Sequence, residues 1–541
     1  MMKTPLTALA PVEAFSPEER ARLEPYVTNV HRPVFALRNL SEVVKGALFA
    51  RYSRSAKSLR RLLLEEFLVD GEPGLSEPVD RAGQARSEQL YDRIFVEYGD
   101  DSVAQLGGVH LACEGASNVL TKILEWGRLA AYLEQSTRYV PYHHPVEGRF
   151  KYHIPAELLG HPLRRSYEAS CNLAFETYAR WLPRMTKHHE ERHPPDDAGG
   201  DRAYRMSIRA KALDDLRGLL PAATRSNVGI YATGQAYENM IIRMRARPES
   251  EVHAYADLMV EELRKVVPAF MKRVDRPDRG EAWSRYIEDC VRATESIARD
   301  LVDDSKITHQ SDEVRLTDFD PEGEVKVVAA ALYSVTRRSD EELLDLAREM
   351  TSEERTRVLA AYVGNRVNRR HKPGRAFERT YYRFDILGDY GAFRDLQRHR
   401  LLTIEWQPLS IHHGYTLPEA VADAGAKEEF DRVMNASQEV YEALVAEGLT
   451  LVAPYVVPMA HRIRYVIQMN AREAMHLIEL RSSPQGHPAY RRIAQHMHDL
   501  IAEEAGHRAL AAAMSFVSFE EVDLERLEAE RATDRRRQLQ G

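Results

Sequence analysis

The residues best suited to chemistry in this 541-residue chain are Gln397-Arg398-His399-Arg400, followed by Leu-Leu-Thr-Ile-Glu-Trp-Gln407. Two arginines flanking a histidine concentrate fixed positive charge and fork-shaped donors, which suit phosphates or an anionic ring. The same triplet could equally be the solvated basic end of a helix, placed near the negative pole of its dipole. Spacing alone leaves both readings open.

A second run shares part of this pattern. After Arg128 come Leu-Ala-Ala-Tyr-Leu-Glu-Gln135 and then Ser136-Thr137-Arg138-Tyr139. Taken together the two runs resemble the flavin-dependent thymidylate synthases (the ThyX family), which carry Arg-His-Arg, seven residues and then a serine, often within Gln-Ser-x-Arg-Tyr. The first half of the chain keeps the serine part, but its triplet is degenerate, Trp126-Gly127-Arg128. The second half keeps the triplet, but Pro408 stands where the serine belongs and Ser410 comes two positions late. Asn470-Ala-Arg472, Leu480-Arg481 and His487 are similar to the family's late helix. Phe95-Val-Glu-Tyr-Gly-Asp-Asp-Ser102-Val, ahead of Gly115, is similar to its lead-in.

What the resemblance implies divides between the halves. Substrate-binding positions survive in the first as Gln135, Ser136, Arg138 and Arg217, the last lying four residues before Pro221; Pro454 replaces that arginine before Pro458. Flavin-binding positions survive in the second as Arg398, His399, Arg400, Asn470, Arg472 and His487. Gly234 and Ala236 stand in the first half where Asn470 and Arg472 stand in the second. The late-helix arginine survives in both, as Arg245 and Arg481, and is the implied catalytic group, stabilising negative charge on a uracil ring. The implied cofactor is FAD, with NADPH and methylenetetrahydrofolate as co-substrates and a dUMP-like nucleotide as substrate. Family sites lie between subunits, so one composite site drawing on both halves is expected, in a homodimer that imitates a tetramer. Decay of one or both halves into a flavin- or nucleotide-binding scaffold is the competing idea. A flavoenzyme acting on another pyrimidine is a third.

The elements that must position these residues are mainly helical. Ser41–Leu68, Tyr255–Val274, Asp340–Leu359, Glu429–Glu447 and Ala489–Met514 carry apolar residues at helical spacing. Gly108–Ala112, Tyr381–Ile386 and Tyr465–Met469 read as strands. His188–Asp201 reads as an exposed loop and Thr308–Glu324 as a break between halves. The expected architecture is α+β: a ThyX-like domain over 1–310 and another over 320–541, each a small antiparallel sheet flanked by helices, packed as a pseudo-dimer. The spacing of the late helices, Tyr237–Arg245 and Ala474–Arg481, points to duplication rather than a short-period solenoid.

Composition narrows the function classes. With 44% hydrophobic and 29% charged residues the chain reads as globular. A net charge of −8 argues against phosphate attraction as the main business, so nucleic acid is not an expected partner. Cys113, Cys171 and Cys290 form no CxxC pair and imply neither a disulfide framework nor a thiolate metal site. No leader or membrane-spanning run is seen, so a cytoplasmic location is expected. No metal is expected: Glu503-Glu504-Ala-Gly-His507 lacks the first histidine of a zinc motif, and His496, His498, Glu503, Glu504 and His507 read as a solvated helix face, while His188, His189 and His193 fall in the exposed loop. The basic strip Arg51–Arg61 runs into an amphipathic helix. His412-His413-Gly414 could line the site or be a structural loop.

Overall fold

A computed structural model describes residues 13–31, 35–52, 57–68, 105–195, 201–303, 313–520 and the single positions 524, 527, 531 and 535. The lead-in at Phe95–Val103 lies outside the described residues. The protein is α+β and predominantly helical, with two small sheets. Its strands are β1 (Gly108–Ser117), β2 (Ala130–Glu134), β3 (Arg225–Thr233), β4 (Val314–Phe319), β5 (Tyr381–Asp389), β6 (Thr403–Trp406) and β7 (Arg462–Asn470). Of the helices, those that matter below are α1 (Asn118–Leu124), α2 (Arg164–Arg192), α3 (Arg202–Leu216), α4 (Gly234–Arg245), α5 (Gly280–Leu301), α6 (Tyr390–Leu396), α7 (Lys427–Ala446), α8 (Ala471–Arg481) and α9 (Pro488–Glu503).

The chain forms two compact units. One holds residues 1–113, 129–133 and 228–303; the other holds 114–128, 134–227 and 304–541. The second unit is built around the antiparallel sheet β4-β5-β7-β6. Its two central strands β5 and β7 alternate along most of their length, because successive side chains point to opposite faces. Tyr382, Phe384 and Ile386 of β5 are buried, as are Ile463, Tyr465, Ile467 and Met469 of β7. Phe384 pairs with Ile467 and Ile386 with Tyr465 across the ladder. The other sheet has the order β1-β3-β2.

One local design recurs four times: a strand ends on a polar residue whose side chain caps the next helix. Ser117 accepts from Leu120 N at 3.0 Å before α1. Thr233 accepts from Ala236 N at 3.3 Å before α4. Asp389 accepts from Ala392 N at 2.8 Å before α6. Asn470 accepts from Glu473 N at 2.9 Å before α8. Each junction fixes where the helix's first turn, and so its basic end, will lie.

Three sequence expectations are corrected. The loop expected at His188–Asp201 is replaced up to Arg192 by the end of α2. Its face continues from Leu182 through Met185 to His189, which is 1% exposed and bonds Asp215 through Nε2 at 2.6 Å. The expected break at Thr308–Glu324 contains β4, whose residues Val314 and Leu316 are buried against the sheet core. His507, read as solvated, is buried and meets the Tyr382 hydroxyl at 2.8 Å. At the end of the basic strip, Arg61 bonds Glu13 at 2.7 Å and also pairs with Glu19.

Candidate functional site

The second unit brings residues from both sequence halves onto two carboxylates, the buried Glu134 and the partly buried Asp395. Glu134, at the end of β2, accepts from Arg394 Nη2 at 2.8 Å, from Lys122 Nζ at 3.3 Å and from Arg398 Nη2. Burial pushes its pKa up, but Arg394, Lys122 and Arg398 together hold it well below the usual carboxylate range. Asp395 lies near the end of α6, three residues before Arg398 in the turn that follows. Its oxygens are 3.4 Å from Arg217 Nη1, 3.8 Å from Arg398 Nη1 and 3.9 Å from Arg481 Nη1. Burial opposes its ionisation, yet Arg398, Arg217, Arg481 and Arg138 depress its pKa.

Arg138 has its own anion. Its Nε donates to both oxygens of Asp214, at 2.6 and 2.7 Å, and Nη2 donates to Oδ2. Nη1 reaches the Tyr490 hydroxyl at 3.2 Å and Gln485 O at 3.3 Å. Tyr490 in turn lies under the Arg481 guanidinium, 5.4 Å from ring centroid to Cζ. Ser136 Oγ accepts from Arg138 N at 3.2 Å, which fixes the turn carrying both residues. Gln135 N donates to Asn227 O at 2.8 Å.

Arg217 is 4% exposed, and its Nη2 has no hydrogen-bond partner among the described residues. A side chain on Gly391 would come within 3.2 Å of Arg217 Nε, so glycine lets α6 approach it. A cavity of about 390 Å³ opens beside Arg217, Asp214, Asp389 and His487, a size suited to a small ligand. His487 caps α9 through Nδ1, accepting from Ala489 N at 3.2 Å. Its pKa is depressed by burial first and then by Arg217 and Arg138.

A second chain of bonds starts at Arg481. Its Nε donates to His399 Nε2 at 3.0 Å, and His399 Nδ1 lies 3.0 Å from Glu473 Oε1. An imidazole that accepts from a guanidinium at Nε2 carries its proton on Nδ1, so His399 donates to Glu473. Burial, then Arg481 and Lys372, keeps His399 neutral. Burial likewise lowers His476 to about 4. His399, Glu473 and His476 hold ligand atoms within 4.8 Å of one another. The surrounding Lys372, Arg472, Arg400 and Arg369 make this corner suit an anion rather than a metal ion.

The remaining expected residues are spread more widely. Arg472 Nε donates to Pro373 O at 2.9 Å, and Arg400 is exposed. Asn470 is engaged as the cap of α8; Asn470→Ala is expected to cost about 1 kcal/mol of stability, read from the denaturant midpoint. Arg245 belongs to the other unit, where Asp275 and Asp257 hold it at 2.6 and 3.0 Å. Cys113 and Cys171 are buried and Cys290 exposed; burial raises the Cys113 thiol to about 11. The sequence reading missed Glu134, Asp214 and Asp395.

The degenerate triplet has a structural job. Trp126 Nε1 donates to Ile404 O at 3.3 Å, its ring meets Trp406 edge-on at 5.7 Å, and Arg128 Nη2 donates to Thr403 Oγ1 at 2.9 Å. The first half's triplet therefore docks along β6. Gln397 Nε2 donates to Lys122 O at 2.6 Å, and the Tyr390 hydroxyl donates to Asn118 O at 2.8 Å, tying α6 to α1.

Comparison with known proteins adds a family. The model of the thymidylate synthase complementing protein family matches the chain twice, over residues 50–269 and 315–505. A UPF0159 protein of Chlamydia muridarum is 38% identical over 95% of this chain and 98% of its own length. A UPF0159 protein of Thermoplasma acidophilum is 32% identical over 90% of this chain and 97% of its own length. A flavin-dependent thymidylate synthase of Clostridium tetani is 26% identical over 33% of this chain and 67% of its own length.

Proposed function

The chain belongs to the thymidylate synthase complementing protein family, matching its model twice, and on that premise we propose a flavin-dependent enzyme that methylates dUMP or a related uracil nucleotide. One observation carries the reading: Arg217 from the first half and Arg398 and Arg481 from the second lie 3.4, 3.8 and 3.9 Å from the Asp395 carboxylate. In this reading the two copies, over 1–310 and 320–541, have kept complementary parts of one ancestral pocket. The equivalent segments support it. Pro221 bridges Pro458; Ala222 N donates to Val457 O at 2.8 Å, and Met459 N donates to Leu220 O at 2.9 Å. Matched positions facing each other in opposite directions are what a two-fold contact between copies produces.

The charge balance favours an anion such as a phosphate monoester. Lys122, Arg138, Arg217, Arg394, Arg398 and Arg481 face Glu125, Glu134, Asp214 and Asp395. Even with Asp389, which also neighbours Arg217, the cations outnumber the carboxylates, and the surplus suits a bound anion. Ser136, Arg138 and Arg217, with Gln135, would bind the nucleotide. Arg398, His399, Arg400, Asn470, Arg472 and His487 would hold FAD, and the donors and neutral imidazole of this corner fit an anionic cofactor. When bound, the flavin supplies the redox chemistry, with NADPH as reductant and methylenetetrahydrofolate as one-carbon donor. Arg481, held in place by His399, would stabilise the charge that develops on the uracil ring and so raise the nucleophilicity of C5. No protein nucleophile is needed, which fits two buried thiols and one exposed one.

The bidentate grip of Asp214 on Arg138 favours a second reading, a protein that binds flavin or nucleotide without turnover. The visible spectrum and a methyl-transfer assay separate the two. The purified chain should show flavin absorption, or take up added FAD, and should convert dUMP with folate and reductant present. A flavin-loaded chain without transfer would support the scaffold; a chain that takes up no FAD would end the enzyme reading.

A further inference from the structure

Helix α5 stands out from its unit in an unusual way. Its first turns are anchored: Ser284 Oγ donates to Ile242 O of α4 at 3.0 Å, and Gly280 and Ser284 are its buried residues. A side chain at Gly280 would collide with the Val274 carbonyl, so glycine permits that close start. From Glu288 to Leu301 every residue is exposed. A helix of this length with no packing is marginal in water, because propensity alone barely offsets nucleation.

Its sequence is not that of a solvated helix. Trp283, Ile287, Cys290, Thr294, Ile297 and Leu301 follow one another at alternating spacings of four and three. That 3.5-residue period is the seam of a two-stranded coiled coil. Arg285, Arg292 and Arg299, seven residues apart, line the opposite face. Along the seam Trp283 is 44%, Ile297 58% and Leu301 79% exposed.

We propose that α5 pairs antiparallel with α5 of a second copy of this chain. The seam is self-complementary in that direction. Trp283 faces the partner's Leu301, Ile287 faces the partner's Ile297, and Cys290 faces the partner's Thr294. Tyr286 then lies beside the partner's Asp300, whose carboxylate accepts its hydroxyl. A parallel pair would instead stack Trp283 on the partner's Trp283 and leave Tyr286 away from Asp300. Val291, Ala293 and Ala298 flank the seam and let the helices come close. A helix about 33 Å long, burying half its circumference, covers roughly 1,000 Å² over both partners, near the lower limit for a stable pair. The pairing does not rest on the catalytic reading, since the residues around Glu134 and Asp395 all come from one chain.

The test uses the full-length protein. Sedimentation should show a dimer, and Ile297→Asp, at an exposed position, should raise its dissociation constant by about 100-fold or more, with any loss of structure confined to α5. Thr294→Cys should give an oxidised dimer, linked from Cys290 of one copy to the substituted position of the other, that Thr294→Ser does not give. A monomeric wild type, or a dimer that tolerates Ile297→Asp, would overturn the proposal. So would a monomer whose α5 resists proteolysis, which would mean that the chain covers its own seam. Ready oxidation of wild type through Cys290 to the partner's Cys290 would refute the antiparallel geometry.

Discussion

Replacing Glu134 by Gln is expected to lower stability by about 3–5 kcal/mol. The carboxylate is fully buried in side chain and is shared by Arg394, Arg398 and Lys122. Gln keeps the size and one acceptor but leaves these cations with too little negative charge in a dry setting. Lys122 retains Glu125 at 2.6 Å and Arg398 retains Asp395 at 3.8 Å. Arg394 is the weak point: it is 3% accessible, and its other side-chain hydrogen-bond partner among the described residues is the sulfur of Met459 at 3.2 Å. The measurement is the denaturant midpoint, with the slope checked for constancy.

The same group shapes the acid limb of stability. Glu134, Asp395 and Asp214 all have folded pKa values below their unfolded ones: burial pushes each up, and arginine neighbours overcome it. Groups of this kind contribute fully above their unfolded values, near about 4, and lose that contribution as pH falls through the folded ones. The wild type should therefore weaken below about pH 5, as the unfolded state takes up protons the folded state refuses. Glu134→Gln removes one such proton, so its stability should fall less steeply with acid than the wild type's. Equal slopes would mean that Glu134 is not held ionised by its neighbours.

Much of this architecture was legible in the sequence where local rules and tertiary needs agree. The alternation of Tyr382, Phe384 and Ile386 announces β5, whereas the capping role of Asn470 emerged only in the fold. β3 was missed because its inward positions include Ser226 and Ala232, and Asn227 and Gly229 weaken its strand propensity. β6 spans only Thr403–Trp406, too short for periodicity to register. The arginines were visible because a motif gathers them. Their carboxylate partners were not, because Glu134, Asp214 and Asp395 come from three separated elements and meet only in the fold. Asp395 alone left a local trace, three residues before Arg398 in the sequence.

Those partners decide the second large effect. Arg138→Ala is expected to weaken binding of a uracil nucleoside monophosphate by about 100-fold, the loss of one charge-assisted contact in a buried site. FAD uptake should be unchanged, because the residues proposed for the flavin lie in the other half. Arg481→Ala should differ in kind: nucleotide affinity falls less, while kcat drops by about 10³-fold, as for loss of a group that stabilises developing charge. It also releases His399, whose Nε2 loses its donor; Arg481→Lys restores charge but not the fork, and should recover little. Since Arg138→Ala leaves Asp214 buried without its cation, Asp214→Asn is the companion variant. Freed from a competing carboxylate, Arg138 should then grip a phosphate more tightly, and nucleotide affinity should rise. If Arg138→Ala leaves affinity untouched while Arg481→Ala abolishes turnover, the nucleotide is bound by the second half alone. The convergence of both halves on Asp395 would then be structural.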